Sequence, residues 1–198
     1  MKRMLSLCAL ALAFSASTAS ADPLMKYDYF DAAYQWNHTD SNSIDNTNGL
    51  DTKISYSPID NFAIEGGYNY ARADITGTDI GVNNNTYTYG VLGYYSICPG
   101  FDLLGRVGGT HLNANASVDG TKISASEERV YGGIGSRYLL TDEIEFDANI
   151  TYADLDTANW TYSGTGFLTV SENVALKADV AIDDNDNVAL TGGVRLAM

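Results

Sequence analysis

From Asp22 onward, apolar residues return at every second position in one segment after another, the spacing of β-strands with a single apolar face. Near the end of the chain, Val188, Leu190, Gly192, Val194, Leu196 and Met198 alternate with Ala189, Thr191, Gly193 and Arg195. The preceding segment sets Val174, Leu176, Ala178, Val180 and Ile182 against Lys177 and Asp179, and further upstream Ile144, Phe146, Ala148, Ile150 and Tyr152 oppose Glu145, Asp147, Asn149 and Thr151. The pattern predicts strands near 25–37, 49–57, 62–74, 85–97, 101–112, 125–140, 143–154, 159–170, 173–182 and 187–198. Connections at 58–61, 98–100, 141–142 and 171–172 are tight. Most of those between are longer and rich in Asn, Asp, Thr and Ser.

An even strand count with one trim end and one loop-bearing end predicts an all-β fold: a closed antiparallel up-and-down transmembrane barrel of ten strands, with eight as the alternative count. A secreted β-sandwich would alternate too, so charge placement separates the two. If the apolar faces meet lipid, the polar faces line a lumen. That lumen then holds Asp31, Asp51, Lys53, Glu65, Asp102, Arg106, Arg129, Arg137, Glu145, Asp147, Lys177, Asp179 and Arg195, six basic residues against seven acidic ones. A Lys or Arg on the lipid face at the midplane costs about 2–4 kcal/mol, and the predicted strands avoid it. Arg72 has lipid-side parity but follows Tyr68 and Tyr70 at the loop end, where an interface is expected. Trp36, Tyr56, Tyr70, Tyr87, Tyr152, Trp160 and Tyr162 fall near strand ends, as an aromatic girdle requires.

The first residues change the picture of where the chain goes. Met1-Lys2-Arg3, an apolar run from Met4 to Phe14 and small residues ending Ala19-Ser20-Ala21 read as a secretory signal peptide, residues 1–21, followed by a barrel domain over 22–198. Cys8 leaves with the signal, and Cys98 then has no partner for an intramolecular disulfide. The whole chain carries 11 basic and 25 acidic residues, a formal charge of −14, which argues against a nucleic-acid-binding surface.

The ending Thr191-Gly192-Gly193-Val194-Arg195-Leu196-Ala197-Met198 resembles the C-terminal assembly signal of bacterial outer-membrane barrels, with Thr191, Gly193, Leu196 and Met198 on the pattern and Met198 in place of the usual final aromatic. Together with the strand pattern, the chain resembles the small outer-membrane β-barrel proteins, the group containing OmpX, the OmpA transmembrane domain and the opacity-type porins. The resemblance implies insertion by the barrel-assembly machinery, a bacterial outer-membrane location with periplasmic termini, and contact with outer-membrane lipid and lipopolysaccharide. No peptidoglycan-binding domain is expected after the last strand.

Candidate chemistry is sparse. His38 and His111, the two histidines, both fall on the lipid side of their strands without a carboxylate constellation, so a rim hydrolase acting on lipid or peptide ranks below non-enzymatic readings. Asp183-Asp184-Asn185-Asp186-Asn187 supplies close-spaced oxygens but lacks the glycine and final glutamate of an EF-hand loop. The loop end as a whole is acidic, which favours cations, and divalent cations bridging it to lipopolysaccharide phosphates are one expectation, with Arg72 and Lys122 as direct phosphate contacts. No cofactor is implied. The expectation is a monomeric structural or surface-interaction barrel with a lumen plugged by paired charges; a small cation-preferring channel is the alternative, since Gly67, Gly90, Gly108, Gly133, Gly135 and Gly193 face inward without filling space.

Overall fold

The computed structural model describes residues 26–38, 47–74, 81–118, 121–154 and 159–198; the expected signal peptide lies outside them. Ten strands run in chain order: β1 (Tyr29–His38), β2 (Thr47–Ile59), β3 (Phe62–Asp74), β4 (Gly81–Cys98), β5 (Phe101–Val118), β6 (Thr121–Leu139), β7 (Ile144–Asp154), β8 (Asn159–Ser171), β9 (Val174–Asp183) and β10 (Val188–Ala197). Each pairs antiparallel with the next and β10 returns to β1, closing the barrel. The count is ten, and the eight-strand alternative falls. Closure removes the exposed strand edges that an open sheet would leave.

The faces sort as a membrane solvent demands, apolar outside and polar inside. Ile134 is 65% exposed while Asp31, on the opposite parity, is fully buried. Among strand positions of outward parity, charged residues occur only at Arg72, Asp74, Lys122, Glu128 and Asp154, all toward the loop end. Two aromatic levels bound the apolar band. Tyr68 packs on Tyr87 at 5.1 Å and Tyr152 on Trp160 at 4.9 Å toward the loop end, and Phe101 meets Tyr138 at 6.3 Å toward the turn end.

The turn end is built from short connections with local devices. Asn61 closes the β2–β3 turn at φ 67°, a left-handed value that asparagine tolerates, and Gly100 closes Cys98-Pro99-Gly100 at φ 81°. Cys98 in that turn is exposed and unbridged.

The loop end departs from expectation on one side. A long connection was expected between residues 112 and 125, but β5 and β6 continue to Val118 and Thr121 and stop two residues apart. They reach 18 and 19 residues, against 10 for β1, and β4 also has 18. These strands project as a sheet beyond the rim. The β6–β7 ladder begins only at Val130↔Asp154, so Thr121–Arg129 pairs with β5 alone and leaves its other backbone edge uncovered by β7.

Candidate functional site

The inward faces of β1, β2, β3, β5, β6, β7, β9 and β10 converge on a charge network across the lumen. Asp31 on β1 anchors it: Arg195 of β10 donates from Nε at 2.8 Å and from Nη2 at 3.0 Å, a two-pronged pairing, while Lys177 of β9 stands 3.5 Å away. Lys177 also reaches Asp51 at 3.9 Å, and Arg195 reaches Glu145 at 3.5 Å. Arg137, 1% exposed, lies 3.1 Å from Glu145 and 2.9 Å from Asp147. A second group joins Lys53 to Glu65 at 2.7 Å and Arg106 to Glu65 at 3.2 Å, with Arg106 also donating to Asn149.

Tyr29 sits between the groups. Its hydroxyl donates to Glu65 at 3.3 Å, and the Arg195 guanidinium lies 3.8 Å over its ring. The opposite side of Arg195 covers the inward Phe167, also at 3.8 Å. These stacked cations keep an electrostatic partner above and below the plane as well as within it. The two groups together hold Lys53, Arg106, Arg137, Lys177 and Arg195 against Asp31, Asp51, Glu65, Glu145 and Asp147, five charges of each sign. Such neutrality matters because removing one partner of a buried ion pair leaves an uncompensated charge and costs about 3–5 kcal/mol.

Three of the thirteen residues expected in the lumen keep the inward parity but make no ion pair with this network. Asp102 lies at the turn end and accepts from Tyr27 at 2.5 Å and from Ser96 at 2.6 Å. Asp179 accepts from Thr165 at 2.7 Å. Arg129 shares the inward parity but stands at the rim, in the projecting part of β6, where it donates to Glu127 at 2.6 Å. That bond holds the Glu127 carboxyl below its usual range.

The plug at the turn end is a feature the alternation did not single out. Lys26–Asp28 crosses the mouth, and Tyr27, 4% exposed, stacks on Tyr94 at 3.7 Å while Arg137 lies 4.7 Å over its ring. Arg137 donates to the Lys26 carbonyl at 3.2 Å and the Met198 amide to the Asp28 carbonyl at 3.0 Å, so the segment is tied to both the network and the end of β10. Ala63, Leu92 and Leu104 complete a small apolar cluster beneath it.

The other expected positions resolve simply. Thr191 and Gly193 face inward on β10 and Leu196 outward; Met198 follows, 62% exposed. Arg72 is exposed with outward parity, and the Lys122 side chain lies outside the described residues. His38 stacks on Trp36 at 5.9 Å, and His111 stands 3.7 Å from Glu128 on a different strand pair, so the histidines do not share a site. Asp183 accepts from the Asn185 and Asn187 amides at 2.9 and 3.0 Å and from the Asn187 side chain at 2.8 Å; its oxygens cap the turn.

The model of the outer membrane protein beta-barrel domain matches residues 6–172. The chain belongs to this family. Among curated proteins no match was found. The fold is similar to the translocator domain of autotransporter NalP from Neisseria meningitidis, with a TM-score of 0.55 at 12% identity, covering 100% of this chain and 95% of that one. Ail, the attachment invasion locus protein of Yersinia pestis, gives 0.47 at 19% identity over 87% of this chain and all of its own. OprG of Pseudomonas aeruginosa gives 0.45 at 14% identity, covering 86% and 96%. The protein is thus an integral outer-membrane β-barrel.

Proposed function

We propose that this protein is a non-enzymatic surface-interaction barrel, adhesion-like in role, whose lumen is closed and whose working part is the projecting β4–β6 sheet. The observation that carries this reading is the edge of β6 at Thr121–Arg129 that no strand among the described residues pairs on that side, where residues 123–128 are all exposed. Backbone N–H and C=O groups along such an edge are ready to pair with an extended segment of another molecule, and natural folds normally cover or shorten edges that have no use. The neutral ion-pair network and Tyr27 favour a plug over a conducting path. In this reading the turn end and both termini face the periplasm, the barrel acts as a monomer, and the assembly machinery inserts it by its terminal signal. An acidic loop end bridged to lipopolysaccharide phosphates by divalent cations, with Arg72 and Lys122 assisting, belongs to the same reading.

The test removes the projection and keeps the barrel. A variant joining Leu112 to Glu127 through Asn-Gly retains every strand of the membrane band and gives the shortened hairpin a favourable turn. Producing cells are assayed for attachment to polystyrene and to a cultured epithelial layer, with heat-modifiable electrophoretic mobility as the control for folding. Attachment is expected to be lost while the folded band persists. Unchanged attachment would overturn the proposal, as would a steady nanosiemens conductance of the wild-type barrel in planar bilayers.

A further inference from the structure

The outward face of the projecting sheet changes chemistry with height. On β4 it runs from Tyr89 through Tyr87 to Asn85 and Asn83, each step about 6.8 Å along the strand. On β5 it runs from Gly109 through His111 to Asn113 and Asn115. Register places Asn83 directly across from Asn115 and Asn85 across from Asn113, so four amides form a square immediately above the aromatic level.

Three of these amides are oriented. Tyr70 donates its hydroxyl to Asn83 Oδ1 at 2.9 Å, Tyr68 to Asn85 Oδ1 at 2.8 Å, and Ser124 to Asn115 Oδ1 at 2.9 Å. An amide whose oxygen is engaged by a neighbouring hydroxyl turns its NH₂ group to the other side. The face therefore offers fixed donors rather than a freely rotating polar surface. Asn85, Asn113 and Asn115 line a shallow depression of about 420 Å³ floored in part by Tyr87 and bounded by Ser124 and Ser126. The opposite face of the same sheet differs: it carries the single amide Asn84 among Ala114, Ala116, Ile123 and Ala125, so the amides are concentrated on the outward face.

We propose that this amide square is a saccharide-binding face that takes the core oligosaccharide of lipopolysaccharide in the surrounding outer leaflet. Continuity decides the occupant. The face is the upward extension of the lipid-contacting band, so with the loop end outside it meets the sugar layer that lies directly above the acyl chains. Fixed NH₂ donors suit the hydroxyl, carboxylate and phosphate oxygens of such a core, and the Tyr87 ring suits the apolar C–H side of a sugar. Arg72, directly across from Asn83, adds a cation to the same row. This inference uses the membrane placement and the orientation of the barrel, and is independent of the β6 edge.

The experiment compares the intact barrel in nanodiscs containing lipid A alone with nanodiscs containing lipopolysaccharide that carries its core. Wild type is expected to melt higher with the core present. Asn113→Ala combined with Asn115→Ala is expected to melt as wild type does in lipid A and to lose the increment, and its affinity for free core oligosaccharide should fall about tenfold. Asn84→Ala, an amide of inward parity on the same strand, should keep the increment. Equal melting of wild type in both nanodiscs, or an increment retained by the double variant, would overturn the proposal. Should that variant fail to give a heat-modifiable band, Asn85→Ala alone carries the same comparison.

Discussion

Removal of the Arg137 side chain is the sharpest probe of the lumen. Arg137 is 1% exposed and faces two carboxylates, Glu145 and Asp147, which are themselves 16% and 7% exposed. Arg137→Ala leaves the buried Asp147 without a cation and Glu145 with Arg195 alone, a defect worth about 3–5 kcal/mol, or about two to four orders of magnitude in the folding equilibrium. The packing under Tyr27 and the bond to the Lys26 carbonyl go with it. Arg129→Ala is the internal comparison. Its partner Glu127 is 46% exposed, so water screens that pair and its loss costs far less. The assay is urea unfolding of each variant refolded into lipid vesicles, followed by tryptophan fluorescence. A third variant, Arg137→Met with Asp147→Asn, removes one charge of each sign and should recover most of the loss, because Glu145 keeps Arg195 and the remaining charges still balance. Similar stability losses for Arg137→Ala and Arg129→Ala, or a double variant no better than Arg137→Ala alone, would refute this account.

Two further outcomes follow from the plug and the seam. Tyr27→Ala removes the ring stacked on Tyr94 and the donor to Asp102, so single-channel recordings should show openings absent from wild type; an unchanged baseline would assign closure to the ion pairs alone. Gly193→Ala would drive a Cβ into the Ala32 carbonyl oxygen and the Ala33 Cα, whereas a Cβ at Gly164 meets nothing within 4 Å. The first substitution should abolish the heat-modifiable band or lower its yield severalfold, the second should leave it intact, and equal behaviour would refute the packing argument.

The barrel was legible because alternation and charge placement say the same thing on each strand. β3 was predicted at 62–74 and runs Phe62–Asp74, since Ile64, Tyr68 and Tyr70 against Glu65 leave little ambiguity of parity. The projection is hard to read as strand because Asn113-Ala114-Asn115-Ala116 alternates with too little hydrophobic contrast. Asp119-Gly120, a dipeptide strongly favoured between hairpin strands, is the signal in the sequence that points to it. Parity marks the polar lumen face but does not by itself mark its aromatic members. Tyr29 shares the parity of Asp31, and Phe167 that of Thr165; an inward aromatic is expected where guanidinium groups need something flat to lie on. Tyr27 lies before the first strand and is placed by tertiary contacts with β4, β5 and β6, which no local pattern reports.

The pairing of Asp31 with Arg195 joins residues 164 positions apart across the seam between the first and last strands. Lys177 and Glu145 enter the same network through these two residues. Until the first strand meets the last, Asp31 and Arg195 lack each other, whereas Lys53 with Glu65 and Arg137 with Asp147 are already brought together by neighbouring strands. Closure of the seam is therefore the step that joins ion pairs formed within hairpins into one network across the lumen.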